Sequence, residues 1–329
     1  MRNIMLLDTS IGTGNVGDNI IMECVEQELS EIIGDSFVFK MPTHLPAFST
    51  FSVWRNSSVV QMYTHCVLKF AGGSNLLVKD LKTHYPQWNI HPFNSKPLRG
   101  TILVGVGAGK GNTTNSYTTK LYQQVLNHDY YHSVRDERSK EYVESLGLKA
   151  INTGCATMWM LTPDFCKFIP REKASRAVIA VTGKSKGSII DKNDQLLINI
   201  AKKNYQKVYF WTQGVLDYDY FKELQNTESI EIVPPNISRY DHLLQQDDLD
   251  YIGTRLHGGI YAMRHKKRAI IIGIDERAAG INEANHLNYI DESEIETRLE
   301  EYINSSIETK VQMPFDEIER WKNQFYERK

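Results

Sequence analysis

Asp250-Tyr251-Ile252-Gly253-Thr254-Arg255-Leu256-His257-Gly258-Gly259-Ile260-Tyr261-Ala262-Met263 is the stretch whose reading decides the fold. Leu249 to Ile252 reads as the end of a strand, Gly253-Thr254 as a tight turn, and Leu256 to Met263 as a helix that begins at once. This layout sets Arg255 and His257 at a strand's carboxyl end and a helix's first turn. Open α/β sheets collect anionic ligands there, because unpaired helix N–H groups and the positive end of the dipole face the crevice. The plain alternative gives Arg255 a salt bridge and His257 a hydrogen bond at the helix start. The glycines on both sides favour the functional reading.

Outward from this stretch the pattern repeats. Apolar strand-like runs alternate with amphipathic segments of helix length, as parallel α/β sheets require. Strands are expected at 4–7, 37–39, 67–71, 102–109 and 130–134, and helices at 19–33, 116–126 and 138–146. The rhythm loosens over 153–176 and resumes with strands at 178–181, 208–211, 230–233, 249–252 and 269–272. Helices are expected between them, with two more near 293–305 and 315–327 closing the chain. The reading is two Rossmann-like domains facing a cleft, residues 1–168 and 169–329.

Composition excludes several classes. A chain of 329 residues with net charge −2 has no global attraction for nucleic acid or an anionic membrane. The four cysteines have neither metal-ligand spacing nor a disulfide framework, so reduced thiols and a cytoplasmic setting are expected. No run approaches the ~20 apolar residues of a membrane span. The basic run Arg264-His265-Lys266-Lys267-Arg268 reads first as a solvated helix end. Its alternative is peripheral contact with a lipid-linked acceptor at the inner face of the membrane.

Three glycine-bearing loops follow strands of the first half. Gly12, Gly14 and Gly17 fit a dinucleotide pattern, but Asp18 would repel a pyrophosphate, and Lys40 stands where an acidic residue belongs. The loop therefore reads as bringing backbone and Asn15, Gly17 and Asp18 close to a polar ligand, with a pure helix cap equally open for Asp18. Gly72-Gly73-Ser74-Asn75 and the loop around Gly107 complete the set; each glycine supplies positive φ or leaves room for a ligand. Arg135 sits at another strand end, where Asp136 or Ser139 can cap the next helix and an Arg135–Asp136 pair is the plain alternative. Tyr85, Trp88 and Phe93 either stack on sugar rings or anchor their proline-rich loop.

Four of these segments resemble the polysaccharide pyruvyl transferase family in order and rough spacing: Gly14-Asn15-Val16-Gly17-Asp18, Gly72-Gly73-Ser74-Asn75-Leu76, Val134-Arg135-Asp136-Glu137-Arg138-Ser139 with Leu146-Gly147, and Thr254-Arg255-Leu256-His257-Gly258. Two departures stand out. Thr153-Gly154-Cys155-Ala156-Thr157 replaces an Asp-Pro-Ala-like stretch, and Ser74 replaces a third glycine. The resemblance implies an α/β fold of two domains similar to GT-B glycosyltransferases. It also implies transfer of pyruvate from phosphoenolpyruvate to two hydroxyls of an exopolysaccharide, capsule or cell-wall sugar, giving a cyclic ketal and phosphate. It implies Arg135, Arg255 and His257 as the donor-handling and catalytic positions. No cofactor is expected, no metal-ligand cluster stands out, and metal dependence is left open by the residues. Substrate contacts are expected from Asn15, Gly17, Asp18, Gly72, Gly73, Ser74, Asn75, Gly107 and Gly258. Planar guanidinium forks suit the donor's phosphate and carboxylate, and an imidazole with an unperturbed pKa near ~6.5 suits proton transfer. Two other readings compete: a GT-B-type glycosyltransferase using a nucleotide sugar, and a non-catalytic sugar- or phosphate-binding protein of the same fold.

Overall fold

Every strand that pairs in the computed structural model does so in parallel, apart from one antiparallel bridge described below. The structure describes residues 2–82, 87–109, 114–185 and 189–326, which divide into two compact units. The first comprises Met1–Thr13, Ile21–Trp159 and Pro314–Lys329; the second comprises Gly14–Ile20 and Met160–Met313.

In the first unit, β1 (Asn3–Asp8), β2 (Phe37–Pro42), β3 (Leu68–Gly72) and β4 (Thr101–Val104) form a sheet of order β2-β1-β3-β4. Ile4 to Leu7 are fully buried, which is why β1 reads as an unbroken apolar run rather than an alternating one. α1 (Val16–Ile33) buries Cys24, Val25, Leu29 and Ile32 at helical spacing, while its first turn groups with the second unit. The irregular stretch after β2 contains two short helices, α2 (Thr50–Trp54) and α3 (Ser58–Thr64). Ser49 and Ser57 cap them, explaining the serine-rich composition there. α4 (Ser116–Val125) and α5 (Glu137–Ser145) flank β5 (His132–Val134), which pairs with β6 (Ala150–Asn152).

The seam between β4 and β5 is partly closed by side chains. His132 Nδ1 accepts from the Leu103 amide at 3.1 Å, and Ser133 Oγ accepts from the Gly105 amide at 2.8 Å. His132 Nε2 donates to the Asn127 carbonyl at 2.9 Å, which fixes the tautomer once Nδ1 is an acceptor. Burial pushes this imidazole down to about 4, so it is a neutral structural histidine.

The second unit carries a six-stranded sheet of order β12-β11-β10-β7-β8-β9. Its strands are β7 (Arg176–Ala180), β8 (Lys207–Trp211), β9 (Glu231–Val233), β10 (Leu249–Gly253), β11 (Ala269–Gly273) and β12 (Tyr289–Asp291). Strand order runs β7-β8-β9 one way and β7-β10-β11-β12 the other, so the topological switch point lies between β7 and β10. The helices are α6 (Pro163–Cys166), α7 (Lys192–Asn204), α8 (Asp217–Glu223), α9 (Ile237–Leu244), α10 (Leu256–Arg264), α11 (Glu276–Asn285) and α12 (Ile295–Asn304). α3, β6, α6, α11 and β12 are additions to the elements expected from sequence. The last helix, α13 (Phe315–Asn323), belongs to the first unit, where Trp321 is fully buried and donates to the Tyr131 carbonyl at 2.8 Å.

The basic run is not the uniformly solvated helix end that the sequence suggests. Arg268 is 1 % exposed: it pairs with Asp250 at 2.7 Å and donates to the carbonyls of Tyr302, Ile303 and Ser305. Arg264 is also buried. No helix among the described residues is long and apolar enough to cross a membrane. All four cysteines are buried free thiols.

Candidate active site

At the switch point of the second unit, the β10–α10 junction is built without slack. A Cβ on Gly253 would stand 2.2 Å from the Ala180 carbonyl oxygen, so only glycine lets β10 end against β7. Thr254 then donates to that carbonyl at 2.9 Å, and its hydroxyl meets that of Thr182 at 3.0 Å. Arg255 occupies the N-cap position of α10 with no side-chain cap of its own; its carbonyl accepts from the Tyr251 hydroxyl at 2.7 Å.

The side chain of Arg255 is held by Asp217, the fully buried first residue of α8. Nε donates to Oδ2 at 3.1 Å and Nη2 donates to Oδ1. The same carboxylate accepts from the amides of Gly183, Gln213 and Gly214 at 2.9, 3.0 and 2.7 Å. A Cβ on Gly214 would lie 2.5 Å from Arg255 Nη2, so glycine there is a condition of the pair. The plain reading of Arg255 as a salt-bridged arginine is thus correct as far as it goes. The guanidinium still keeps three N–H groups beyond the two spent on Asp217, and its side chain is 16 % exposed.

The glycine-bearing loop at the start of α1 reaches the same place. Gly14 to Val16 lie against Gln213 to Val215 through an isolated antiparallel bridge, Val16 donating to the Gln213 carbonyl at 2.8 Å. Asn15 Oδ1 accepts from the Gly17 amide at 3.0 Å and from Gln213 Nε2 at 2.9 Å. The backbone donor fixes Asn15 as the acceptor, which in turn fixes the orientation of the Gln213 amide. Gln213 Oε1 consequently points the other way, buried and without a partner among the described residues. Gly17 is needed because a Cβ would lie 2.7 Å from Gln213 Nε2. Asp18 is the third residue of α1 rather than its cap, a buried carboxylate in the helix's first turn.

His257 is the second residue of α10 and is 8 % exposed. Gly258 follows, and a Cβ there would meet the Trp211 ring at 2.8 Å and Gln213 Oε1 at 3.1 Å. Its glycine is therefore explained by the close packing of α10 on the sheet. Trp211 in turn stacks on Tyr240 at 3.8 Å, and the Tyr240 hydroxyl donates to the Gly258 carbonyl. Asn15, Gly17, Arg255, His257 and Gly258 thus belong to one unit, in which Gln213 and Asp217 tie Asn15 to Arg255. Sequence reasoning missed both of the latter. The signal was present in Trp211-Thr212-Gln213-Gly214, a buried strand that ends in an amide and a glycine.

A second cluster forms within the first unit. Arg135 follows β5, with Nη2 donating to Asn75 Oδ1 at 2.6 Å and Nε donating to Asp136 Oδ2 at 3.2 Å. Asp136 caps α5 through Ser139, so the local Arg135–Asp136 pair and the cap both exist. The Arg135 side chain is only 8 % exposed because its guanidinium lies on Gly107, where a Cβ would come within 2.4 Å. Ser74 and Asn75 are pinned by Gln87 Oε1, and the Ser74 carbonyl accepts from the Gly107 amide. Gly72 and Gly73 serve packing instead: their Cβ atoms would meet Met22 and Ile21 of α1 at 2.9 and 2.0 Å. Around Thr153-Gly154-Cys155-Ala156-Thr157 the contacts include Ser133–Thr153 and Cys155–Thr157. Trp88 is buried and anchors its loop, Phe93 is exposed, and Tyr85 lies outside the described residues. Among the described residues no cluster of histidine, cysteine or carboxylate is fit to hold a metal ion.

The family model described as polysaccharide pyruvyl transferase matches residues 15–276, from Asn15 to beyond α10. The chain belongs to the polysaccharide pyruvyl transferase family. Membership makes it a transferase of polysaccharide modification, and the Asn15 and Arg255 segments, near the two ends of the matched range, are joined through Gln213 and Asp217. No curated protein matches the chain. Among solved structures, S. aureus MnaA with UDP is similar at TM-score 0.53 and 10% identity, covering 99% of this chain and 96% of that one. UDP-GlcNAc 2-epimerase from Neisseria meningitidis bound to UDP-GlcNAc is similar at TM-score 0.51 and 12% identity over the whole of both chains. These likenesses establish the fold, the GT-B type expected from the family resemblance.

Proposed function

We propose that this protein transfers the pyruvyl group of phosphoenolpyruvate to two hydroxyls of a sugar in an exopolysaccharide, capsule or cell-wall glycan. The observation that carries the reading is Arg255, oriented by Asp217 at the amino end of α10 with three N–H groups to spare, in a chain of this family. Those N–H groups and the helix terminus suit a phosphate or carboxylate of the donor. Asp217 offsets the charge of the guanidinium, so binding rests on directed hydrogen bonds more than on net positive potential. Arg135, held by Asn75 and Asp136 in the first unit, is the other guanidinium position that the family resemblance implies.

The reaction requires a proton on the vinyl carbon, addition of one hydroxyl to the adjacent carbon, and expulsion of phosphate as the second hydroxyl adds. Of the two hydroxyl protons, one ends on the new methyl group and the other on the departing phosphate. His257 is assigned the acid–base work, which typically contributes ~10²–10⁴-fold. The nucleotide-sugar alternative has the fold likeness to UDP-binding epimerases behind it and nothing further. The test is phosphate release and mass gain on incubation with phosphoenolpyruvate and a panel of lipid-linked or synthetic glycans, read against His257→Ala. Turnover should fall at least ~100-fold in the variant while the donor still binds. A pyruvyl product made at near wild-type rate would remove His257 from the mechanism. A nucleotide-sugar donor consumed in place of phosphoenolpyruvate would replace the reading altogether.

A further inference from the structure

Five tryptophans are present, and four of them, Trp88, Trp159, Trp211 and Trp321, are at most 4 % exposed. Trp54 is 77 % exposed. It ends α2, where Phe51, 62 % exposed, stacks on it one helical turn earlier at 6.1 Å. α3 continues the theme with Val59 and Met62, 53 % and 38 % exposed. The inner residues Val53 and Val60 are buried and fasten both helices to the first unit, so these four large apolar groups lie on the sides turned to solvent. Leaving so much rigid apolar surface in water on two short, well-capped helices is unfavourable for a protein that stays in water.

Charge within the segment that carries the patch has one sign. Residues 36–79 contain no aspartate or glutamate, in a chain that has 40 of them. Arg55, in the link between the helices, sits over the Phe51 ring at 5.5 Å. Lys96 arrives from a distant segment and donates to Asn56 Oδ1 in the same link at 3.0 Å. Neither cation has a carboxylate partner among the described residues. We propose that the outward side of α2 and α3 is a docking surface for an anionic lipid membrane. Trp54 and Phe51 would enter the headgroup boundary, and Arg55 and Lys96 would meet lipid phosphates. The proposal is independent of the reaction assigned above, and it relocates membrane contact from the 264–268 run, whose Arg268 is buried, to the opposite half of the sequence.

Because Trp54 is the exposed tryptophan, intrinsic fluorescence reports on the patch directly. The full chain is titrated with phosphatidylcholine vesicles, with and without about one third phosphatidylglycerol, and followed by emission, acrylamide quenching and co-sedimentation. Anionic vesicles should shift the emission to the blue, protect it from quencher and pellet the protein; neutral vesicles should bind far less. Arg55→Gln and Lys96→Gln should each weaken partitioning about fivefold. Phe51→Ser with Trp54→Ser should abolish pelleting with the melting temperature unchanged, since both side chains lie mostly in solvent already. Absence of pelleting, or equal binding to neutral vesicles, overturns the proposal. So does quencher protection without vesicles that grows with protein concentration alongside a dimer in sedimentation, which would assign the patch to a second copy of this chain.

Discussion

Replacing Asp217 by asparagine tests the central element of the site without changing its volume. Oδ1 accepts from Gly183 N–H and Arg255 Nη2, and Oδ2 accepts from the N–H groups of Gln213 and Gly214 and from Arg255 Nε. An asparagine has one oxygen, so whichever way it turns, its NH₂ group faces at least two donors. Each buried donor stripped of its acceptor costs ~1–3 kcal/mol, and removing one partner of a buried ion pair costs ~3–5 kcal/mol. The two accounts overlap, giving a loss near ~4 kcal/mol for the second unit. For a unit of this size that corresponds to a fall of roughly 8–16 °C in its melting transition. Arg255 also loses its orientation, so turnover with phosphoenolpyruvate should drop by ~100-fold even where the variant is folded. Differential scanning calorimetry and phosphate release measure the two effects on the same samples. A transition within about 2 °C of wild type together with unchanged donor KM would refute the claim that this carboxylate sets the arginine.

Other outcomes follow from the geometry. Arg255→Lys should raise donor KM, because a point charge cannot hold Asp217 by two bonds and present further N–H groups as well; an unchanged KM would exclude the assigned role. Arg268→Met strands the buried Asp250 carboxylate and should cost ~3–5 kcal/mol, whereas Arg268→Met combined with Asp250→Leu should recover most of it in urea unfolding. Gly73→Ala forces a side chain onto a φ of +57° with its Cβ 2.0 Å from Ile21, a loss of ~2–4 kcal/mol measurable as a lowered urea midpoint. The buried His132 makes stability pH-dependent. Its folded pKa of about 4 lies below the unfolded value of ~6.5, so the unfolded state binds the extra proton between them. Stability from this group is complete above that window and falls by ~3 kcal/mol as pH drops through it. His132→Gln should flatten that slope in urea unfolding at pH 7 and pH 4.5.

Much of the architecture was legible because buried parallel strands need no alternation. Ile4-Met5-Leu6-Leu7 and Ala269-Ile270-Ile271-Ile272 declare themselves as apolar runs, and the helices between them show 3.6-residue spacing. β6 and β12, three residues each, are too short for any period to show. α11 carries an apolar set too sparse to form a stripe. Nothing in the alternation of strands and helices signals that α13 returns to the first unit; that depends on Trp321 meeting Trp159 and Tyr131 across long separations. At the site, the Arg255 and His257 positions were readable from the strand–glycine–helix grammar. Asp217 and Gln213 were not, since their significance lies in donors from three separate loops. Gly72, Gly73 and Gly258 were readable as special, yet their reason is close packing, which sequence cannot distinguish from room left for a ligand.

The side-chain closure between β4 and β5 gives the first unit a weak line with a chemical trigger. Main-chain ladders do not titrate, but the acceptor for the Leu103 amide is an imidazole lone pair, which disappears when His132 takes up a proton. Mild acid should therefore loosen this joint ahead of the continuous four-stranded ladder beside it. The segment released is the one leading into Arg135, so in acid the arginine would lose its fixed setting while most of the unit remained folded. Amide exchange at Leu103 and Gly105, faster than at Phe70 or Leu6 as pH falls, would be the visible sign.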